Sequence, residues 1–230
     1  MKDVNPNRRK DETQEQIITD FLLRYYFSKA FLNIKLITDT PTQSYGVDVT
    51  CDSKFAKNMR IDVKAQSSAK YINNPRPTFS LEVSTYNRYG TNVFTGWFFN
   101  ANSITEYYTF VWIHRASVDT KGRVHSAENI ERIEVLTVDA RKLKDYINNV
   151  LCNYGLDNIE QVARDMRNAK KTRIEICDGI HYSHSPNLIE KPVNLVVHKR
   201  ILKKFTIPGQ FGHCIVTKDD IRPIRNKRPA

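Results

Sequence analysis

Two aspartates and a lysine lie close together in the stretch 45–66, YGVDVTCDSKFAKNMRIDVKAQ. From Arg60 to Gln66 apolar and polar residues alternate, so Ile61, Val63 and Ala65 share one face of a strand and Asp62, Lys64 and Gln66 the other. Val47, Asp48 and Val49 repeat the alternation just before. Two half-buried strands joined by a polar, basic turn would thus bring two carboxylates and an ammonium to a shared polar face. Charge in such a place is costly unless a partner or a metal compensates it. Two carboxylates beside a lysine are suited to holding Mg²⁺ and activating a water, the chemistry of phosphodiester hydrolysis.

Asp48, then thirteen residues, then Asp62-Val63-Lys64 resembles the signature of the PD-(D/E)XK nucleases, the restriction-endonuclease-like superfamily. Val47 stands where the name-giving proline would be. The resemblance covers the N-terminal half of the chain. It implies an α/β fold, a three-layer restriction-endonuclease-like core with a mixed central sheet of about five strands flanked by helices. It implies that Asp48, Asp62 and the main-chain carbonyl of Val63 bind Mg²⁺, with Mn²⁺ as a substitute, and that Lys64 orients the attacking water or stabilises the phosphate. Superfamily members often bring an acidic residue from the first helix, which makes Glu15 a further catalytic and metal-binding candidate, although the helix dipole alone favours an acid in a first turn. Gln66, two residues beyond Lys64, would hold the water or a phosphate oxygen.

The elements that must position these groups can be read in outline. Residues 1–10 are polar and basic and read as a flexible arm. Thr13 and Gln16 form a capping box for a helix with Ile18, Phe21, Leu22, Tyr25 and Phe31 among its apolar positions. Strands are expected at Asn33–Thr38, in the two stretches above, at Thr78–Ser84, at Glu106–Ile113 (a run apolar enough for burial on both faces) and at Ile133–Val138. Helices follow from Asp139 to Cys152 and from Asp157 to Asn168. From Thr172 the pattern is β-like (TRIEI, PVNLVVH, KKFTI, HCIVT). The expected organisation is an arm at 1–10, a nuclease core at 11–152 and a C-terminal α+β extension at 153–230 packed on the core.

The chain has 230 residues, 36 Lys plus Arg against 25 Asp plus Glu, and a net charge of +11. A surplus of that size favours a polyanion, each neutralised phosphate adding affinity through counterion release. DNA is the expected partner, with RNA left open. Lys70 and Arg76 beside Tyr71 in one loop, and Asn87 and Arg88 in the next, have the composition of a backbone-tracking surface, and equally of solvated loops. The basic tail Arg222–Arg228 reads as disordered or as a further phosphate contact. No membrane span or signal peptide is legible, so a cytoplasmic protein is expected, as a monomer or a homodimer that cuts both strands.

Four scattered cysteines fit reduced thiols. Cys177, His181 and His184, with His213 and Cys214, could ligate zinc, but their spacing matches no finger pattern and loop histidines are the plainer reading. No P-loop, dinucleotide fingerprint or nucleophile elbow is present. The expected function is therefore a Mg²⁺-dependent DNA endonuclease, restriction-type cleavage included. The alternatives are a catalytically inactive nucleic-acid-binding module of the same fold and a protein-interaction domain whose basicity is incidental.

Overall fold

A computed structural model describes residues 6–39, 42–43, 45–87 and 89–224, with side chains from Thr13 onward. The chain is α/β, with a mixed seven-stranded sheet, a second, antiparallel sheet of five strands, and helices. Two compact units divide it, one of residues 1–76, 104–139 and 206–230, the other of residues 77–103 and 140–205. This corrects the expected boundary at Cys152. The expected C-terminal extension supplies strands to both sheets, because the far edge of the strand at 130–139 is completed by residues near the end of the chain.

The first unit carries the expected site. Its helix α1 (Pro6–Leu22) begins well before Thr13, so Thr13 lies inside the helix rather than at its cap, and the supposed arm is helical from residue 6. Residues 1–5 of that arm lie outside the described residues. α1 runs through a π-helical turn, Leu23–Phe27, into a last turn, Ser28–Ala30. Its buried side is Ile18, Phe21, Leu22, Tyr26, Phe27 and Phe31, which join Val49, Cys51, Met59, Ile61, Val111, Ile133 and Val135 in one apolar core.

The sheet under α1 contains β1 (Leu32–Leu36), β2 (Val49–Asp52), β3 (Met59–Ala65), β6 (Tyr107–Ala116), β7 (Ile130–Asp139), β11 (His213–Thr217) and β12 (Ile221–Pro223), in that spatial order. β3 and β6 pair in parallel and the other neighbours are antiparallel. A parallel pair needs a long crossover, and the residues between β3 and β6 include the 77–103 segment of the second unit. β6 is the fourth strand of seven, and its residues Tyr108 to Ile113 are all buried, as its near-continuous apolar run led one to expect. β12 takes up Arg222, which the sequence placed in a loose tail; residues 225–230 lie outside the described residues.

The Tyr26 hydroxyl finds partners inside this core. It hydrogen-bonds to Thr137 Oγ1 at 3.0 Å and donates to the Phe211 carbonyl at 2.8 Å, and Thr137 Oγ1 meets Thr109 Oγ1 at 3.0 Å. Burial pushes the Tyr26 hydroxyl well above its ordinary pKa, so it stays a neutral donor. Tyr26→Phe leaves the Phe211 carbonyl and Thr137 without that partner and is expected to lower stability by about 1–2 kcal/mol in urea denaturation.

The second unit holds β4 (Thr78–Tyr86), β5 (Val93–Thr95), β8 (Arg173–Cys177), β9 (Ile180–His184) and β10 (Val193–His198), in the order β5-β4-β10-β9-β8. Its longer helices are α2 (Ala140–Asn153) and α3 (Ile159–Asn168); Asn158 caps α3 by accepting the Gln161 N–H at 3.1 Å. KKFTI is not a strand: Lys203–Phe205 is a 3₁₀ turn. Among the described residues no helix is long and apolar enough to cross a membrane.

Candidate active site

The site is assembled on β3 and on the bend before β2. Asp48 is anchored twice to the β3 backbone: its N–H donates to the Ile61 carbonyl at 2.9 Å, and its Oδ2 accepts the Val63 N–H at 2.8 Å. That anchoring leaves the carboxylate beside Asp62. Asp62 is only 3% exposed, on a face it shares with Asp48, Lys64 and Tyr108. Its Oδ1 meets Lys64 Nζ at 2.6 Å, as i and i+2 side chains on one strand face can. The Lys64 side chain keeps about a quarter of its surface open.

Above them is a cleft of about 630 Å³ whose walls include Glu15 and Thr19 of α1 together with Asp48, Val63, Lys64 and Ala65. Glu15, Asp48, Val63 and Lys64 therefore converge on one space, with Asp62 in contact with both Asp48 and Lys64. This is what the sequence predicts for these five residues, although Glu15 lies in the third turn of α1, not its first. Gln66 is placed differently. Its amide is held by the Arg76 backbone, Nε2 donating to the carbonyl at 3.2 Å and Oε1 accepting the N–H at 3.0 Å.

Charges in the site are strongly coupled. Burial pushes the Asp62 carboxyl up to about 7; Lys64 opposes this, and Asp48, close enough to share a hydrogen bond, adds to it. Burial lowers the pKa of Lys64, but Asp62, Asp48 and Glu15 outweigh that and hold the ammonium above its ordinary range. Across the parallel strand pair Asp62 faces Tyr108, whose hydroxyl is pushed up by burial and then by Asp62. Nothing in the nuclease pattern draws attention to Tyr108; its register opposite Asp62 does.

The raised Asp62 pKa has a consequence for folding. Between the ordinary carboxylate value near 4 and the folded value near 7 the folded state binds more protons than the unfolded one. The contribution is therefore full at low pH and is lost as pH rises through 7. The raised Lys64 value acts only at alkaline pH and does not offset this. Without metal, the urea midpoint is expected to fall between pH 5 and pH 7.5, and Asp62→Asn to flatten the fall; a wild-type midpoint rising over that range would contradict this protonation.

The donor set is oxygen-only and carries two buried-side carboxylates against a single ammonium. That suits a hard divalent cation, which takes one or two protein carboxylates and keeps waters. Among the described residues, however, no three His, Cys, Asp or Glu side chains stand close enough together to hold a metal ion. Glu15 borders the cleft without closing a three-carboxylate cage.

The other candidates separate. Lys70 and Arg76 are exposed and stand against the Tyr71 ring, at 4.8 and 5.3 Å from its centroid. Asn87, in the second unit, closes its own turn, its Oδ1 accepting the N–H groups of Tyr89 and Thr91 at 3.1 and 2.9 Å. Arg88 lies outside the described residues. Cys177, His181 and His184 belong to strands rather than a loop and form no metal cluster with His213 and Cys214 among the described residues. His213 is instead half of an arrangement the sequence did not suggest. Buried Glu134 accepts from His213 Nε2 at 2.8 Å through one oxygen and from His114 Nε2 at 3.0 Å through the other. The signal was there: one carboxylate in the mostly apolar run Ile133–Val138. His213 lies in register with Leu136, Phe110 and Lys64, three strands away, about 14 Å at the usual strand spacing.

Comparison with protein-family models, with curated proteins and with solved structures finds no match to this chain.

Proposed function

We propose that this protein is a Mg²⁺-dependent endonuclease that hydrolyses DNA phosphodiesters on a core of the restriction-endonuclease type. One observation carries the reading: the buried Asp62–Lys64 ion pair beside backbone-anchored Asp48, at a cleft bordered by Glu15. Asp48 and Asp62, with the Val63 carbonyl, would hold the cation, with Glu15 on the wall of the same cleft as a further candidate ligand. When bound, the cation generates a nucleophilic water and neutralises charge on the scissile phosphate. Lys64 keeps its proton and donates it as a hydrogen bond to a phosphate oxygen, stabilising negative charge that grows in the transition state. Holding a cation would require Asp62 as a carboxylate, so affinity for Mg²⁺ would rise with pH up to about 7. The net charge of +11 supports a polyanionic substrate.

A second reading is a DNA-binding module of the same fold without catalysis. It is favoured by the ion pair that already occupies Asp62. The separating experiment offers a panel of DNA substrates with Mg²⁺ or Mn²⁺ to the wild type, Asp62→Ala and Lys64→Ala. Cleavage by the wild type alone supports the nuclease. Salt-sensitive binding without cleavage or carboxylate-dependent Mg²⁺ affinity supports the module. Equal cleavage by all three removes the site assignment.

A further inference from the structure

The loop after β3 is fastened to the sheet more firmly than a solvated loop requires. At its start and end, the Gln66 amide and the Arg76 backbone exchange two hydrogen bonds, of 3.2 and 3.0 Å. In its middle, Asn73 does the same with the backbone of Ala116, its Nδ2 donating at 2.9 Å and its Oδ1 accepting at 2.6 Å, while its N–H donates to the Ile113 carbonyl at 3.0 Å. Asn73 holds a left-handed φ of 66° to make these bonds, a conformation uncommon outside glycine and asparagine. Between the fastenings, Ala69 lies so close to Gly122 of the β6–β7 loop that a Cβ at Gly122 would sit 2.8 Å from the Ala69 Cβ.

What this fastening presents is charge. Lys70 and Arg76 both stand over the Tyr71 ring, and both remain exposed. An arginine or lysine ordered in this way loses less freedom when it grips a phosphate, which is the usual cost of using a long side chain. The loop is also tied to the cleft. Gln66 follows Ala65, which lines it, and lies two residues from Lys64, about 7 Å along a strand. That distance is about two phosphates of axial rise along one DNA strand.

We propose that Gln66 and Asn73 are positioning residues that hold Lys70, Tyr71 and Arg76 as a preformed grip on the DNA backbone entering the cleft. This rests on the nuclease reading of the cleft and names how its substrate is held. Gln66 then acts through the loop and is not a catalytic residue, in contrast to its expected role beside the attacking water.

The test is a double-mutant cycle on binding of a labelled DNA duplex, measured in EDTA over a series of salt concentrations so that cleavage plays no part. Arg76→Ala is expected to weaken binding roughly tenfold and to reduce the slope of log Kd against log salt by about 1. Gln66→Met carries no charge change, yet is expected to reproduce most of both effects, with the double variant less than about twofold weaker than Arg76→Ala alone. A merely structural role for Gln66 would leave the salt slope at the wild-type value. That result, or multiplicative losses in the double variant, overturns the proposal. If Gln66→Met does not fold, Asn73→Leu releases the loop from its other fastening and is read against the same two criteria. A wild type that cleaves DNA with Asp62 and Lys64 dependence while Gln66→Met binds normally sinks this inference alone; a wild type that neither binds nor cleaves DNA sinks both.

Discussion

Lys64→Ala is expected to lower Mg²⁺-dependent DNA cleavage by about 10²- to 10³-fold, the usual effect of removing one preorganised donor from a developing negative charge. Asp62→Ala is expected to lose about as much or more, because it removes a cation ligand and the partner that fixes the ammonium at 2.6 Å. Lys64 is held charged by three carboxylates despite its sheltered position, so its loss changes the field of the whole site. Lys64→Arg should not rescue it, since a planar guanidinium does not replace a compact ammonium in a closed pair. Single-turnover rates separate these losses from binding, and DNA affinity in EDTA should change far less than the rate. A Lys64→Ala protein that cuts at the wild-type rate would end the catalytic assignment.

The second large effect concerns stability. Phe27→Ala is expected to cost about 3–5 kcal/mol, as for other fully buried aromatic side chains, whereas Tyr25→Ala should cost only about 1–2 kcal/mol through its lost ring contact. Denaturant unfolding of both variants checks the ranking. A regular helix with Ile18, Phe21 and Leu22 inward would carry Tyr25 inward next. The π-helical turn at Leu23–Phe27 inserts the equivalent of one residue and slips the phase. Tyr26 and Phe27 become fully buried, with Phe31 behind them, while Tyr25 is left half-buried against Phe21 at 4.9 Å between centroids. If Tyr25→Ala proves the more damaging, the helix is regular and the slip is wrong.

That slip shows what could be read from the sequence and what could not. Strand alternation reports local faces, so Asp62 and Lys64 on one side of β3 and the burial of β6 were both legible. Convergence of Asp48 on the same site followed from pairing adjacent strands. The cleft wall contributed by Glu15 was legible only through the family resemblance, because no local pattern says which helix face overlies which strand. Gln66 shows the limit in the other direction. Its place two residues beyond Lys64 suggested shared chemistry, but an amide both donates and accepts, and the nearby Arg76 backbone satisfies it on both counts. The number of strands was underestimated for a related reason. The HCIVT stretch of β11 looks like a short isolated strand in the sequence and Arg222 of β12 like part of a loose tail, and only the pairing of β11 with β7 and of β12 with β11 shows that they extend the first sheet.

That long-range pairing bears on how the protein is made. The Asp48–Asp62–Lys64 sheet is built from three separated pieces of chain, and β11, which covers the edge of β7, begins 74 residues after the end of β7. At about 5–20 residues per second, a ribosome takes roughly 4–15 s to cover that interval. For that time the nascent chain exposes the unpaired edge of β7, a template for wrong strand partners. A chain assembled in this order completes its first sheet only when β11 and β12 emerge, and a fragment stopped at Cys152 keeps Asp48, Asp62 and Lys64 on and beside β3, between β2 and β6, but leaves the edge of β7 open. A product truncated there therefore presents an aggregation hazard through that open edge.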